Sequence, residues 1–216
     1  EIDILEGLKF KTSLGADFNS IFSEFFAPSN IGNYRTPVAN NRTQAFENNT
    51  KRANIITENL LTYNKAIDKH NFDVLLGFGY QEESYFNTRL QSNNFTDDNI
   101  RNIAGATNPS ATSIRSKWAL ESYFTRLQYD YDSRYSLSAS FRRDGSSRFG
   151  VNTKYGNFAS VSAGWTLSNE AFFPVEGLLN FAKIRASWGQ TGNNQIGDFG
   201  AIALIAPDNY TIDGQL

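Results

Sequence analysis

Residues Tyr135–Trp165 read YSLSASFRRDGSSRFGVNTKYGNFASVSAGW. In the first arm Tyr135, Leu137, Ala139 and Phe141 alternate with Ser136, Ser138, Ser140 and Arg142. In the return arm Ala159, Val161, Ala163, Trp165 and Leu167 alternate with Ser160, Ser162, Gly164 and Thr166. Successive side chains of a strand point to opposite faces, so both arms form a sheet with one apolar and one polar surface. Asp144-Gly145 is the expected turn between them, because Asp bonds its own backbone and Gly accepts positive φ. Whether the apolar surface meets a protein core or lipid decides what the chain is.

The same alternation marks strands near 7–18, 71–83, 118–131 and 180–189, with further strands near 54–64 and 199–206. Several reach the roughly 9–11 residues that cross a bilayer at a tilt, where soluble strands average about 5–6. The charges keep to one side. Lys9, Lys11 and Asp17 oppose Leu8, Phe10, Leu14 and Phe18, and Lys183 and Arg185 oppose Ile184, Ala186 and Trp188. A Lys or Arg facing lipid at mid-bilayer costs about 2–4 kcal/mol, so this sorting fits a membrane wall. Glu121 breaks it by sharing the row of Tyr123, Leu127 and Tyr129, which places it at a membrane edge. The strand near 54–64 shows no dyad.

Loops are sorted as well. Long connections near 19–53 and 84–117 alternate with tight ones at Lys65–His70 and Asp132-Ser133. Short turns at one end and long loops at the other are the habit of outer-membrane barrels. The connection Asn169–Leu179 is longer than its side requires, and Phe172-Phe173-Pro174 is expected to fold against the rim. Tyr129, Tyr131, Tyr135, Trp165 and Trp188 crowd the strand ends, as an interfacial girdle or as ordinary core aromatics.

Composition narrows the functions. With 216 residues, 18 Phe, 10 Tyr, 16 Gly and a net charge of −2, the chain reads as β-rich and carries no basic surface for nucleic acid. It has neither cysteine nor methionine and opens on Glu1, as a processed chain or an internal piece would. No cofactor or metal site is expected: His70 is a lone histidine in a polar turn, and thiolate ligands are excluded. No GxSxG elbow supports a hydrolase. Gly77-Phe78-Gly79 and Gly189-Gln190-Thr191-Gly192 lack the remaining residues of nucleotide motifs and read as strand-end and turn geometry. Glu82-Glu83 and Asp97-Asp98 are sequence neighbours that a strand would turn to opposite faces. Asn41, Asn48, Asn94 and Asn209 open sequons of the kind an Asn-rich chain yields by chance. No catalytic residue is expected. Arg142, Arg143 and Arg148 around Asp144 read as an ion-paired rim rather than a ligand clamp.

One serial resemblance is specific. Tyr129-Asp130-Tyr131, Tyr135–Ser140, Arg142-Arg143-Asp144-Gly145-Ser146-Ser147-Arg148-Phe149, Gly156-Asn157-Phe158, Ser160–Trp165 and Ile184–Asn193 stand in the order and spacing of a known barrel. Over about 118–199 they closely resemble SusC/RagA-type TonB-linked outer-membrane transporters of Bacteroidetes. The resemblance implies an all-β chain whose antiparallel up-and-down strands form part of a large transmembrane β-barrel. It also implies an importer working with a SusD-type surface lipoprotein, driven by a TonB complex through a plug domain, with oligosaccharide or peptide cargo. Residues 1–216 then form a partial barrel segment of seven or eight strands bearing no plug. The carried-over motifs are strands and turns, so substrate-binding residues stay unassigned. Two other readings are open at this point: a soluble all-β carbohydrate-binding module, and a small complete eight-stranded outer-membrane barrel.

Overall fold

The computed structural model describes residues 1–31, 43–173 and 180–201. Eight strands follow one another in a single sheet whose spatial order is the chain order. They are β1 (Ile2–Leu5), β2 (Leu8–Ala27), β3 (Gln44–Ile67), β4 (His70–Asn93), β5 (Ser110–Tyr131), β6 (Tyr135–Ser146), β7 (Tyr155–Thr166) and β8 (Lys183–Gly189). The registered pairs β1·β2, β5·β6, β6·β7 and β7·β8 are all antiparallel. Only Ala45 and Ile103 are buried apolar residues among those described, and no second layer covers the sheet.

Contacts divide the chain into two units. The first comprises Glu1–Ser13, Thr57–Tyr80 and the described residues of Trp118–Leu216; the second comprises Leu14–Ile56 and Gln81–Lys117.

In the first unit the tight turns rest on left-handed backbone. Gly7, between β1 and β2, has φ +80, and a Cβ there would lie 2.2 Å from the Asn64 carbonyl oxygen. Asp132 and Ser133, between β5 and β6, have φ 51 and 55, the paired positive values of a turn whose twist matches the strands, closed by the Arg134 amide on the Tyr131 carbonyl at 2.9 Å. The Asp132 amide donates to the Lys69 carbonyl at 2.8 Å, which joins two neighbouring turns.

Two expectations are corrected in this unit. Asp144-Gly145 is not the hairpin turn: both residues pair within β6, Asp144 with Gly156 and Gly145 with Tyr155, and the chain reverses over Ser147–Lys154. The glycine serves packing instead, because a Cβ on Gly145 would meet the Tyr155 ring at 2.5 Å. His70 is not a solvated turn residue but opens β4 half-buried. Its Nδ1 lies 2.8 Å from the Tyr129 hydroxyl, and its ring lies against Tyr131 at a 4.8 Å centroid distance.

The second unit explains why strands run further than the alternation indicates. Across β3 and β4, Asn87 donates to Asn48 and Thr50, Gln81 donates to Asn54, and Arg52 reaches both Glu83 and the Tyr85 ring. Arg89 caps the Phe46 ring at 4.9 Å. These cross-strand pairs hold a polar hairpin together where apolar burial cannot. Much of the stretches expected as loop, 19–53 and 84–117, is therefore strand, with residues 32–42 outside the described part. The remaining β4–β5 connection is pinned: Asp98 accepts from the Ser29 amide and hydroxyl at 2.9 Å each, and Asp97 from the Asn99 amide at 2.7 Å. Of the strand expected at 199–206, residues 202–206 lie outside the described part. The short β1 makes the eighth strand.

Candidate membrane interface

In the first unit the apolar row is the exposed one. Along β6, residues Tyr135 to Ser140 alternate exposed and half-shielded, with Tyr135, Leu137, Ala139 and Phe141 outward and the serines inward. Leu137 is 52% and Phe141 46% exposed. Register carries this row sideways: Leu137 faces Tyr129 and Ala163, Phe141 faces Thr125 and Ala159, and Ala163 faces Ala186. In a water-soluble sheet this order would be reversed, because exposed contiguous apolar surface of this extent seeks an apolar neighbour.

The row has two aromatic borders. At the tight-turn end the rings of His70, Tyr131, Tyr135 and Trp165 follow one another across β4 to β7, and Phe172 meets Trp165 edge-on. Phe172 thus folds against the rim as the sequence suggests; Pro174 lies outside the described residues. At the other end the Tyr155 hydroxyl donates to Glu121, and Arg143 lies over the Tyr155 ring at 4.6 Å. From Tyr135 to Gly145, as from Trp165 to Tyr155, is a run of eleven residues, ten steps along the strand. At about 3.3 Å per residue and a tilt near 40°, that is a band about 25 Å tall, the height of an outer-membrane barrel's apolar belt. Glu121 takes the edge position its charge demands. Trp188 does not: it faces Val161, in the middle of the band.

The inward row is polar and in large part paired with itself, Asp73 Oδ1 being a buried atom without a hydrogen-bond partner among the described residues. Ser140 and Ser160 share a 2.7 Å hydrogen bond, and Asn64 donates to Asp73 at 2.6 Å with Arg126 at 3.6 Å from the same carboxylate. Near the tight turns this face holds a concavity of about 680 Å³, lined by residues such as Asn64, Asp73, Gln128, Ser136 and Ser138. Towards the other end Arg142 grips Asp144 with Nε at 2.7 and 2.8 Å and reaches the Ser122 hydroxyl at 3.0 Å. Arg148 bonds Asp198 at 2.8 Å. Arg142 and Arg148 are thus held by acids, whereas Arg143 rests on the Tyr155 ring. Among the described residues no group of His, Cys, Asp or Glu is placed to hold a metal ion.

At the tight-turn rim, outside the spanning strands, Glu170 accepts from the Tyr135 hydroxyl at 2.7 Å and the Trp165 indole N–H at 2.9 Å. These hydrogen bonds, Tyr135's most, hold its carboxyl below the usual 4.5. A depressed carboxyl adds stability above its unfolded pKa, and the gain is lost as pH falls through the lowered value. The Phe173 amide, which donates to the Glu170 carbonyl, should exchange faster in Glu170→Gln than in the unaltered chain at pH 6. The difference should close below about pH 4. Equal exchange at pH 6 would remove Glu170 as the organiser of this rim.

Sequence reasoning found the band but missed how its edges are built. The ring-to-ring chain joins four strands, and nothing in the local sequence announces a partner several dozen residues away.

Comparisons with known proteins agree with this surface. No family model matches the chain. It is 36% identical over 211 residues to TonB-dependent receptor P39 of Formosa agariphila, covering 95% of this chain and 20% of that protein. To TonB-dependent receptor SusC of Bacteroides thetaiotaomicron it is 30% identical over 148 residues, 68% of this chain and 15% of that one. The chain spans about a fifth of the length of the first of these curated relatives. Among solved structures, one of the RagAB peptide transporter superposes with a TM-score of 0.87 at 25% identity, over 98% of this chain and 24% of that one. The RagAB peptide importer in its open-open state gives 0.83 at 26% identity, over 98% and 23%. These relatives are receptors and transporters rather than enzymes.

Proposed function

We infer that this chain, which belongs to the SusC/RagA-type TonB-linked receptors and is a piece of an outer-membrane β-barrel, forms part of the wall of an importer for large nutrients. The observation that carries this reading is the eleven-residue apolar band between two aromatic rims, with a polar row behind it. The outward row seals against lipid. The inward row offers hydroxyls, amides and paired charges to a water-filled route, with the rings of Phe124 and Phe158 among them. Cargo is an oligosaccharide or a peptide, a SusD-type lipoprotein covers the long-loop end, and a TonB complex acts through a plug. The names of the relatives favour this division of labour: SusC for one, a RagAB peptide importer for another. The soluble module loses support because a binding sandwich needs a second sheet over its apolar face.

Orientation follows from loop sorting. The β4–β5 connection, with Asn99 exposed, faces outward, and the turns at Glu6-Gly7 and Asp68-Lys69 face the periplasm. In whole cells carrying the parent receptor, Asn99→Cys should react with an impermeant maleimide, while Asp68→Cys should react only after permeabilisation. The opposite pattern would invert the wall and remove the proposed lid from that end.

A further inference from the structure

After β8 the chain leaves the sheet. The Gln190 amide still donates to the Ala159 carbonyl at 2.9 Å, and the following residues cross the inward row. Gly192 sits against the Phe158 ring, where a Cβ would approach ring atoms to 2.2 Å; Gly156 flanks the same ring, its own Cβ position 2.7 Å away. Phe158 faces Arg142 in the register and so belongs to the polar side. Beneath this crossing lies a cavity of about 400 Å³ between Arg142, Asp144 and Phe158 of the wall and Asn193 and Asn194 of the crossing segment.

The crossing is held lightly. Among the described residues, the hydrogen bonds joining Thr191–Ala201 to the rest of the chain both come from Arg148 in the β6–β7 connection, to Asp198 at 2.8 Å and to the Asn194 carbonyl at 3.3 Å. Other bonds of the segment are internal, such as Gln195 to Asn193 and Gly200 to Gly197. The Arg148–Asp198 pair is well shielded, with 18% and 17% of the side chains exposed. Arg148 also lies over the Trp118 ring at 4.5 Å. That stacking keeps the guanidinium in place when Asp198 departs, so the pair can re-form without a search for geometry.

We propose that Thr191–Ala201 is a strap across the polar face, latched by Arg148–Asp198, and that release of the latch opens the cavity beneath it to solute. This rests on the polar row facing the water-filled side, and it adds a moving part to a wall otherwise fixed by strand pairing. Losing one charge-assisted hydrogen bond of this kind shifts an opening equilibrium by about ten-fold.

The chain contains no cysteine, so introduced thiols report cleanly. The ideal Cβ of Gly150 lies 4.0 Å from the Ala201 Cβ, within the span of a disulfide. In the parent receptor, cleared of any other cysteine, Gly150→Cys with Ala201→Cys should cross-link under mild oxidant, and because the closed strap dominates, adding Asp198→Asn should leave that rate within about two-fold. Separately, Asp144→Cys should react with the cationic methanethiosulfonate reagent MTSET about ten-fold faster in the Asp198→Asn background. Should Asp198→Asn fail to assemble, Arg148→Lys, which keeps the charge but loses the planar fork, is read in the same way. Failure of the pair to cross-link would overturn the closed strap. Reaction at Asp144→Cys indifferent to the latch would overturn the gate. Neither outcome touches the orientation of the wall, which the Asn99 and Asp68 labelling tests by itself.

Discussion

Phe141→Arg should prevent stable assembly of the parent barrel, while Ser140→Arg, one residue away, should leave it nearly intact. Phe141 stands on the exposed row, four residues from the Gly145 edge and six from the Tyr135 edge, and pairs with Thr125 and Ala159. An arginine there must carry its charge through the hydrocarbon, at about 2–4 kcal/mol before the loss of the phenyl contact is counted. Its long stem snorkels only part of the way to the rim. Ser140 stands on the opposite face, where Arg126 and Arg142 already lie, and its loss removes one hydroxyl bond to Ser160 worth about 1 kcal/mol. Heat-modifiable gel mobility separates the outcomes: the folded band should vanish for Phe141→Arg and persist for Ser140→Arg. Equal tolerance of both would mean that the exposed row does not meet lipid.

Gly77→Ala should destabilise the barrel by about 1–3 kcal/mol, the usual penalty for forcing carbon into filled space. A Cβ on Gly77 would stand 2.2 Å from two atoms of the Phe124 ring. The ring has no easy retreat, because the Arg142 guanidinium lies over it at 5.6 Å while gripping Asp144. Gly79, two residues on along β4, meets only the Ser122 Cβ at 3.9 Å, so Gly79→Ala should be close to neutral. Replacing Phe124 by Leu should recover more than half of the Gly77→Ala loss, since a smaller side chain vacates the space. Urea unfolding of the parent in detergent gives the four free energies of this cycle. Simple additivity would show that Gly77 is not there for the ring.

These two positions also show what was legible beforehand. The phase of β6 to β8 could be read because their two faces differ in nearly every residue, and a period of two then fixes which side is which. β3 could not: Ile55-Ile56 and Leu60-Leu61 put apolar neighbours on both faces, and the strand exists because β2 and β4 flank it. Much of the second unit read as loop because residues such as Asn48 and Asn87 are poor strand formers in isolation. Their stabilisation comes from cross-strand bonds formed only once the hairpin has closed. Asp144-Gly145 carried a genuine turn signal that tertiary packing overrode, the glycine being kept for the Tyr155 ring. His70 was misjudged for a related reason: its partners Tyr129 and Tyr131 lie 59 and 61 residues away in the chain. The ion-paired reading of Arg142 was open to sequence because Asp144 stands two residues away, whereas Asp198, the partner of Arg148, lies fifty residues on and was not.

The lipid-facing band is best tested residue by residue with nitroxide labels at positions 136 to 142 of the parent receptor in bilayers. Collision with oxygen, which partitions into lipid, should peak at 137, 139 and 141. Collision with a water-soluble nickel chelate should peak at 136, 138 and 140. The opposite phase, or no alternation over these seven positions, would contradict the assignment of Leu137, Ala139 and Phe141 to lipid.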